Sequence, residues 1–522
     1  MSQRPPYQSV FQIVERHARE RGNKVHAIAA ESGFEVTFNH VYAHCNQMAA
    51  FLAKRGFKAN DRVSVLSDNC LAQMLLFHMV QAYGATVNLV NCEVHIKNVE
   101  QILYDIDPKL VLCHRDLAPE VQAIAMATGV EHYVFDDHPE ASPTNEFFTL
   151  LDKEPATPSV PSVGTPRDWA LINYTSGTTS SPKGVCCTHE SYFYMTESDL
   201  QAFRLTEGER MLEYRGITWC SPQVLSVCTT LQAGATIVLA KKFSQSHFFE
   251  WVQKYGVTVS AGVPTAITML LARPHPITKA DLPTLRYMTT STAPIAPETF
   301  DAFQNRYGIR LVQGCGMSEA GFMFVNDPDA PRRGPVGRRT PHITARFVDP
   351  EGNDMPVGAE GELLIGGIQI FSGYLVGRGS IEPLPAEGFR TGDLGYYDQD
   401  GYAFLTGRKK DLIIRGGINI APLEVSSILA EHPSVLEAAT IGVPDKIYGE
   451  AVACFVVPQT GHSPSIEDLR AHLQRKLSPY KMPQSISLMV AIPKTDRGKT
   501  SKDGLMRFWQ AHVQPTLVEG KH

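Results

Sequence analysis

Residues 62–90 read RVSVLSDNCLAQMLLFHMVQAYGATVNLV, and this stretch decides the fold class. Short runs rich in β-branched residues lie at both of its ends, which is typical of buried strands. The apolar segment between them ends at Gly84, where a helix is expected to stop. The strand pattern recurs at 109–114, 169–174, 235–240, 257–262 and 285–290. This alternation predicts parallel strands covered by helices, arranged as two α/β blocks.

The character of the sequence changes near residue 335. Asp-Gly turns, prolines and glycines then interrupt short alternating apolar runs, which indicates a small antiparallel β unit. A charged segment at 407–411, GRKKD, separates this unit from a last series of strands and helices. We therefore predict an α/β protein whose large N-terminal domain, 1–406, has two α/β subdomains and a small β subdomain. A hinge at 407–411 would lead to a small α+β C-terminal domain, 412–522, which is long enough to fold independently.

Length and composition exclude several classes of protein. A chain of 522 residues with 43% hydrophobic residues is too long for one core and needs no disulfide or metal staples. The formal charge of −6 provides no general cationic surface for nucleic acid or an anionic membrane. The ten cysteines include no C-x-x-C pair, which argues against a zinc site or a secreted disulfide scaffold. The N-terminus predicts an amphipathic helix rather than a signal peptide, and no apolar run suits a membrane span, so we expect a cytoplasmic protein.

The most unusual segment runs from Tyr174 to Gly184 and reads YTSGTTSSPKG. Its glycines, its hydroxyls and the single Lys183 suit a loop that binds phosphate groups, although the spacing is not that of a Walker A loop. Composition alone favours a solvated serine and threonine turn. Ser180 and Lys183 also match the S-x-x-K pattern of serine acyl-enzymes. A Ser-Lys amidase or hydrolase therefore stays open as an alternative from a different class.

Further polar segments follow this loop along the chain: GCGMSE at 314–319, TGD at 391–393, Arg408, and PKTDRGK at 493–499. Together with 174–184 they resemble the adenylate-forming superfamily of acyl-CoA synthetases, luciferases and peptide-synthetase adenylation domains. The resemblance runs from about residue 10 to about residue 505 and is closest in type to acyl-CoA ligases. Each residue taken alone is typical of a turn or a solvated charge, whereas the ordered set is not.

The resemblance implies a role for each matching residue in ATP binding and catalysis. The residues implied around the β- and γ-phosphates are Thr175, Ser176, Gly177, Thr178, Thr179 and Lys183. Those implied along the adenine and acyl slots are Thr292, Ala293, Pro294, Gly314, Cys315, Gly316 and Met317. Ser318 would lie near the α-phosphate, and Glu319 would lie near Mg²⁺. Asp393, supported by Arg408, would hold the ribose hydroxyls, and Lys499 matches the mobile catalytic lysine that bridges the substrate carboxylate and the α-phosphate.

The same resemblance implies that the small C-terminal domain swings about a hinge residue, which is Lys410 by its position after Arg408. The residues implied near coenzyme A are Gly416, Gly417, Tyr448, Tyr480 and Lys481. Met482 stands where benzoate-type CoA ligases have an arginine, so one phosphate contact is not expected.

The acyl pocket is expected to be shaped by Trp219, Cys220, Gly314, Gly316, Gly321 and Phe322. Trp219 replaces the usual histidine, as in acetyl-CoA synthetases, and its indole would narrow the pocket. Cys315 replaces the usual tyrosine beside adenine, so we expect weaker adenine binding. Arg215 could pair with a second anionic group of the substrate, but we expect it to be a surface arginine.

The implied function is an ATP-dependent carboxylate–CoA ligase that forms an acyl-adenylate and then an acyl-CoA thioester, releasing pyrophosphate and AMP. ATP, Mg²⁺, coenzyme A and a small carboxylic acid would be its cofactors and partners, without nucleic acid, and a homodimer is common among similar enzymes. A carrier-protein-loading enzyme shares the first half-reaction but does not turn over free CoA. A luciferase-like oxygenase shares the ATP motifs, and a peptide-synthetase domain is disfavoured because the Trp219 region has no aspartate for an amino-acid ammonium. Short aliphatic, aromatic and zwitterionic acids all stay open.

Overall fold

The computed structural model describes residues 4–92, 96–117, 119–175, 183–293, 295, 297–459, 461–495 and 500–514. The first helix, α1, spans Val10–Arg21 and buries one face, as its sequence predicts. Ser9 and Gln12 cap its N-terminus by exchanging side-chain to backbone hydrogen bonds. Within the described ranges, no helix is both long and apolar enough to cross a lipid bilayer.

The first part of the chain alternates helices and strands. Its other helices are α2 Phe38–Lys54, α3 Leu71–Tyr83, α4 Ile96–Ile106, α5 Pro119–Ala127, α6 Glu146–Leu151 and α7 His189–Ala202. Its strands are β1 Val25–Ala29, β2 Glu35–Thr37, β3 Arg62–Leu66, β4 Thr86–Val90, β5 Leu110–His114, β6 Glu131–Phe135, β7 Trp169–Thr175 and β8 Lys183–Thr188.

The middle of the chain continues the alternation and then becomes strand-rich. Its helices are α8 Cys220–Pro222, α9 Thr229–Ala233, α10 Phe248–Lys254, α11 Pro264–Ala272 and α12 Pro297–Tyr307, and a π-helical turn spans Gln223–Cys228. The strands up to residue 325 are β9 Arg210–Glu213, β10 Thr236–Leu239, β11 Val259–Ser260, β12 Tyr287–Thr290, β13 Arg310–Met317 and β14 Gly321–Val325. The later strands are β15 Gly337–Arg339, β16 Ile343–Val348, β17 Gly361–Gly367, β18 Gly373–Leu375, β19 Ile381–Pro383, β20 Phe389–Tyr397 and β21 Tyr402–Arg408.

An eight-stranded sheet has the order β19-β18-β8-β7-β4-β3-β5-β6. The unit β3–α3–β4 that residues 62–90 predict lies at its centre, with β3 and β4 parallel. Every residue of α3 is buried, which explains why its sequence is apolar throughout. The helix ends at Gly84, where φ is 98° and an added Cβ would lie 2.2 Å from the backbone nitrogen of Gly164. Only glycine fits this helix end.

A thirteen-stranded sheet has the order β16-β17-β20-β21-β15-β14-β13-β12-β11-β9-β10-β1-β2. Its parallel part, from β10 to β13, is the second predicted α/β block. The second half of β13 pairs antiparallel with β14, so this one strand joins the block to the antiparallel β unit. β1 pairs with β10, and residues 25–29 therefore belong to the second block although they precede the first along the chain.

The strands of the remaining sheet all lie after residue 411. They are β22 Ile413–Arg415, β23 Ile418–Ile420, β24 Val435–Asp445, β25 Gly449–Pro458 and β26 Ser485–Leu488. The helices of this region are α13 Pro422–Ala430, α14 Ile466–Gln474 and α15 Lys502–His512. Successive residues of β25 point into two separate apolar clusters, one with α13 and α14 and the other with α15. The strand is thus covered on both faces, as its continuous apolar sequence indicates.

Candidate active site

The hydroxyl-rich segment predicted to bind phosphate connects two paired strands. Thr175 ends β7, Lys183 begins β8, and the two residues are cross-strand partners. The Thr175 hydroxyl donates to the Lys183 carbonyl at 3.5 Å, and the Lys183 side chain is exposed. Antiparallel pairing therefore brings the two ends of the segment together. The positions outside the described residues, whose roles stay predictions, are Ser176, Gly177, Thr178, Thr179 and Ser180.

Lys183 and Glu319 are linked by Tyr374, a residue that the sequence pattern does not single out. The Lys183 ammonium lies 4.9 Å from the centre of the Tyr374 ring, which is a cation–π distance. The Tyr374 hydroxyl donates to Oε1 of Glu319 at 2.7 Å. Tyr374 belongs to β18, and the pairing of β18 with β8 brings its ring to Lys183. The three side chains form one polar cluster.

Glu319 is a nearly buried carboxylate, with 8% of its surface exposed, and it follows Ser318 in the turn between β13 and β14. Burial raises the pKa of Glu319, because desolvation penalises the charged form. The Tyr374 hydrogen bond and the charge of Arg408 oppose this shift, whereas the charge of Asp393 adds to it. An oxygen ligand of this kind, with lone pairs left over, fits a hard cation such as Mg²⁺.

The glycine-rich segment 314–317 pairs with β14 at close range. Gly314, Cys315, Gly316 and Met317 are the partners of Val325, Phe324, Phe322 and Gly321. An added Cβ on Gly316 would lie 2.3 Å from the Gly321 carbonyl oxygen, and one on Gly314 would lie 2.6 Å from the Phe322 ring. Glycine is therefore required here for the two strands to approach each other.

Asp393 and Arg408 form an ion pair across adjacent strands. They are cross-strand partners on β20 and β21, and Nε of Arg408 donates to Oδ1 of Asp393 at 2.8 Å. Asp393 is buried, whereas 44% of the Arg408 side chain is exposed. Arg408 ends β21 and leads directly into a 3₁₀ turn, Lys409–Asp411, in which Lys410 is exposed.

Two of the six residues assigned to the acyl pocket, Gly314 and Gly316, lie on β13. The other four lie on α8, on β14 and just before α8: Trp219, Cys220, Gly321 and Phe322. The buried Cys220 thiol donates to the Ser318 carbonyl at 3.9 Å, which connects α8 to the turn that carries Glu319. Gly321 has φ of 65°, and an added Cβ there would lie 3.2 Å from Met195 of α7. Helix α7 therefore closes one side of the predicted acyl pocket.

The prediction that Arg215 is a surface arginine is wrong. Its side chain is only 8% exposed, and its Nη2 and Nε donate to the fully buried Glu213 at 2.6 and 2.9 Å. Its Nη1 donates to Oγ of Ser221 at 2.9 Å and to Oγ of Ser291 at 3.3 Å. The reason is local: β9 ends at Glu213, and the chain then turns so that the Glu213 carboxylate accepts from the backbone N–H and the side chain of Arg215, two residues later.

Thr292 has φ of 81°, a left-handed conformation that a β-branched residue rarely adopts. It directly follows Ser291, to which Arg215 donates. Ala293 is partly exposed, and Pro294 lies outside the described residues. Backbone strain of this kind is concentrated at functional sites, which supports the role predicted for this segment.

The residues predicted to contact coenzyme A are close together after residue 411. Gly416 and Gly417 form the turn between β22 and β23 with φ of 59° and 84°, as a type I′ turn requires. The Arg415 guanidinium lies 5.2 Å from the centre of the Tyr448 ring and donates to the Tyr480 carbonyl at 2.9 Å. Both tyrosines are about half exposed. The sequence pattern did not single out Arg415. Its contacts with Tyr448 and Tyr480 hold three separate segments of the chain together on one surface, which we call the coenzyme A face.

Lys481 is already paired in this face. Its ammonium donates to both carboxylate oxygens of Glu424 at 2.7 Å, so a coenzyme A phosphate would have to replace this ion pair. Lys499 lies outside the described residues, and its role stays a prediction.

Comparison with known proteins identifies the family of this chain. The family model for AMP-binding enzymes matches residues 14–375, and the model for the AMP-binding enzyme C-terminal domain matches residues 424–499. The chain belongs to the AMP-binding enzyme family. It is an adenylate-forming enzyme, with a large N-terminal and a small C-terminal domain, and the family and fold class predicted from the sequence are confirmed.

The relatives of this chain include enzymes named as CoA ligases. Sulfoacetate–CoA ligase of Cupriavidus necator is 30% identical over 95% of this chain and 97% of its own length. Indoleacetate–CoA ligase of Aromatoleum aromaticum is 30% identical over 88% of this chain and 91% of its own length. The crystal structure of ATP-bound MatB from Rhodopseudomonas palustris has a TM-score of 0.87 and 26% identity, covering 96% of this chain and 99% of that one.

Proposed function

We propose that this enzyme activates a small carboxylic acid with ATP and transfers the acyl group to coenzyme A. The first step yields an acyl-adenylate and pyrophosphate, and the second yields an acyl-CoA thioester and AMP. The observation that supports this most directly is the joint placement of Lys183, Tyr374 and Glu319, in a family whose members include named CoA ligases.

The first step brings two anions together. The carbon of a carboxylate is a poor electrophile, so it must be activated before a thiol can attack it. In the activation step one carboxylate oxygen attacks the α-phosphorus, a new P–O bond forms, and pyrophosphate leaves. Lys183 neutralises charge on the phosphates, and Lys499 neutralises charge between the carboxylate and the α-phosphate. Glu319 is the residue that would hold Mg²⁺, which supplies further positive charge at the phosphates.

Asp393 positions the nucleotide in this proposal. Its carboxylate accepts hydrogen bonds from the ribose hydroxyls, and the ion pair with Arg408 fixes its orientation. Adenine lies against the segments that contain Thr292 and Gly316. The strained backbone at Thr292 supports this placement, because such strain needs a surrounding structure that maintains it.

The second step needs a different face of the enzyme at the same cleft. We propose that residues 412–522 turn about Lys410, within the hinge 407–411, relative to residues 1–406. Lys499 then leaves the acyl-adenylate, and the face built by Gly416, Gly417 and Tyr448 meets the coenzyme A thiol arm. The exposed Lys410, in a short turn between two sheets, supports this hinge position. A homodimer and a cytoplasmic location are part of the same proposal.

The test is a pyrophosphate-release assay over a library of carboxylic acids, with and without coenzyme A. Carboxylate-dependent exchange of labelled pyrophosphate into ATP is expected without the thiol, and AMP with an acyl-CoA product is expected with it. Exchange without turnover of free CoA would instead indicate a carrier-protein arm as acceptor. Hydrolysis of amides without ATP, lost on Ser180→Ala, would show the amidase and exclude this proposal.

Substitution Tyr374→Phe is expected to shift the pH dependence of adenylation. The tyrosine hydroxyl stabilises the ionised form of Glu319, so its removal raises the pKa of that carboxyl further. Because the ionised form is the one that holds Mg²⁺, the acid limb of kcat/KM for ATP should move to higher pH. Tyr396→Phe, whose ring stacks on Phe404, is the matched control. An acid limb that stays in place or moves to lower pH would contradict this role of Tyr374.

A further inference from the structure

Family membership leaves the acid open, since relatives of similar identity are named for sulfoacetate and for indoleacetate. The structure holds a more specific clue in the buried Arg215. Its Nη1 bonds Ser221, which follows the predicted acyl residues Trp219 and Cys220, and Ser291, which precedes Thr292. The guanidinium thus joins the wall assigned to the acyl group to the wall assigned to the adenylate.

Glu213 allows this arginine to be buried without a ligand, because the pair is neutral overall. The carboxylate of Glu213 also accepts from the backbone N–H groups of Tyr214 and Arg215 at 3.0 and 2.8 Å, and from the Ser226 hydroxyl at 2.6 Å. Its charge is therefore shared among several donors on the Nε and Nη2 side. The Nη1 end of the guanidinium, which faces the two serines, keeps positive character.

The two serine hydroxyls are the unused groups of this cluster. Both oxygens accept from Nη1 of Arg215, so their hydrogens are directed away from the arginine. Among the described residues, neither hydroxyl donates to another group. Ser291 is 4% exposed, and Ser221 is partly exposed. Two O–H donors supported by a cation form a receptor for an anionic oxygen group.

The surroundings of Arg215 bound the predicted pocket on the α7 side and limit electrostatic repulsion of an anion. Asp199 of α7 interacts electrostatically with Arg215, and neither of its buried oxygens has a hydrogen-bond partner in the described parts of the chain. Burial raises the pKa of Asp199 well above its usual range, which favours the neutral form of this carboxyl. Met195 packs against Gly321, so helix α7 bounds the predicted acyl pocket at this point.

We propose that the substrate carries a second anionic group, and that Arg215, Ser221 and Ser291 form the subsite that binds it. This inference rests on the proposed ligase function. The chemistry at the subsite is that of oxygen anions which accept several hydrogen bonds, and a second carboxylate and a sulfonate share it. Short dicarboxylic and sulfocarboxylic acids are therefore the substrate class.

The experiment compares acids that differ only in the second anion: propanoate with malonate, butanoate with succinate, and acetate with sulfoacetate. Carboxylate-dependent pyrophosphate exchange gives kcat/KM for each acid. Wild-type enzyme is expected to favour the dianion in at least one pair. Arg215→Met should lower that preference, as a ratio of kcat/KM values, by about 10-fold to 100-fold, the loss typical of a hydrogen bond to a charged group.

Because Arg215→Met leaves Glu213 buried and unpaired, the double variant Glu213→Gln/Arg215→Met removes both charges and is measured alongside it. Ser221→Ala/Ser291→Ala keeps the ion pair and should also lower the ratio. Arg346→Met, at an exposed arginine paired with Asp354, is the matched control that should leave the ratio unchanged.

The outcomes distinguish failure of the anion subsite from failure of the proposed ligase function. Exchange that favours the monoanion in every pair, or an unchanged ratio in the arginine and serine variants, overturns the subsite and leaves the ligase function in place. A purely structural role for Arg215 would lower activity with all acids equally, and the constant ratio would overturn the proposal. Absence of exchange with any acid overturns the ligase function and the subsite with it.

Discussion

Substitution of Lys499 by alanine is expected to slow acyl-adenylate formation about a thousandfold. At an effective dielectric constant near 20, one charge pair at 4 Å contributes about 4 kcal/mol, and loss of that energy at the transition state corresponds to roughly three orders of magnitude in rate. In the proposed mechanism, Lys499 is required only while the carboxylate attacks the α-phosphorus. Thioester formation from a presynthesised acyl-adenylate should therefore fall far less.

The two half-reactions can be measured separately, by pyrophosphate exchange and by release of AMP from added acyl-adenylate with coenzyme A. Lys494→Ala is the matched control, because Lys494 lies in the same C-terminal segment and pairs with Glu437. A Lys499→Ala enzyme in which both half-reactions fall equally, or in which exchange is retained, would contradict the role that the resemblance implies.

The second large effect is expected for Glu319→Gln, which should reduce activity and increase stability. Loss of the charge that is proposed to hold Mg²⁺ at the phosphates should lower the rate of adenylation about a hundredfold or more. The pKa of Glu319 is raised by burial, so its ionisation in the folded state is unfavourable. The contribution of this group to the free energy of unfolding is present below the ordinary pKa of glutamate and is lost as pH rises through the raised value. Glutamine carries no charge, so the Glu319→Gln enzyme does not lose this free energy of unfolding at neutral pH.

Thermal unfolding at pH 7 without nucleotide should therefore give a higher Tm for Glu319→Gln than for wild type, with the difference disappearing in acid. Pyrophosphate exchange as a function of Mg²⁺ concentration measures the predicted loss of adenylation activity. Glu387→Gln, at an exposed position, is the control that should change neither. A lower Tm, or exchange at the wild-type rate, would show that Glu319 is a structural residue instead. A residue that destabilises the empty enzyme in order to hold a ligand is a common feature of active sites.

The fold was predictable where the pattern is local. The runs at 62–66 and 85–90 coincide with β3 and β4, and Gly84 ends α3 by adopting a left-handed conformation that the sequence indicates. Long-range pairing was not predictable. β1 joins β10 more than two hundred residues later, and β13 belongs to both a parallel and an antiparallel array, because sheet pairing depends on tertiary packing rather than on periodicity.

The candidate site was likewise predictable only where a local motif names the residue. The sequence motifs named Lys183 and Glu319, but Tyr374 is far from both along the chain and becomes their neighbour only through the pairing of β18 with β8. The Arg215 prediction failed because composition places arginines at the surface by default. The exception depends on one buried partner, Glu213, whose own burial a single sequence does not reveal.

Arg408, the partner of Asp393, lies two residues from Lys410, so the proposed rotation about Lys410 would move this ion pair very little. Displacement in a rotation grows with distance from the axis. A rotation axis at Lys410 would therefore leave Arg408 almost stationary and would displace remote parts of the small domain by much larger distances. In the proposed mechanism, the ribose would therefore stay bound to Asp393, and Arg408 would keep its hydrogen bond to that carboxylate. The nucleotide would then lie near the rotation axis, and the groups exchanged between the two half-reactions would lie far from it.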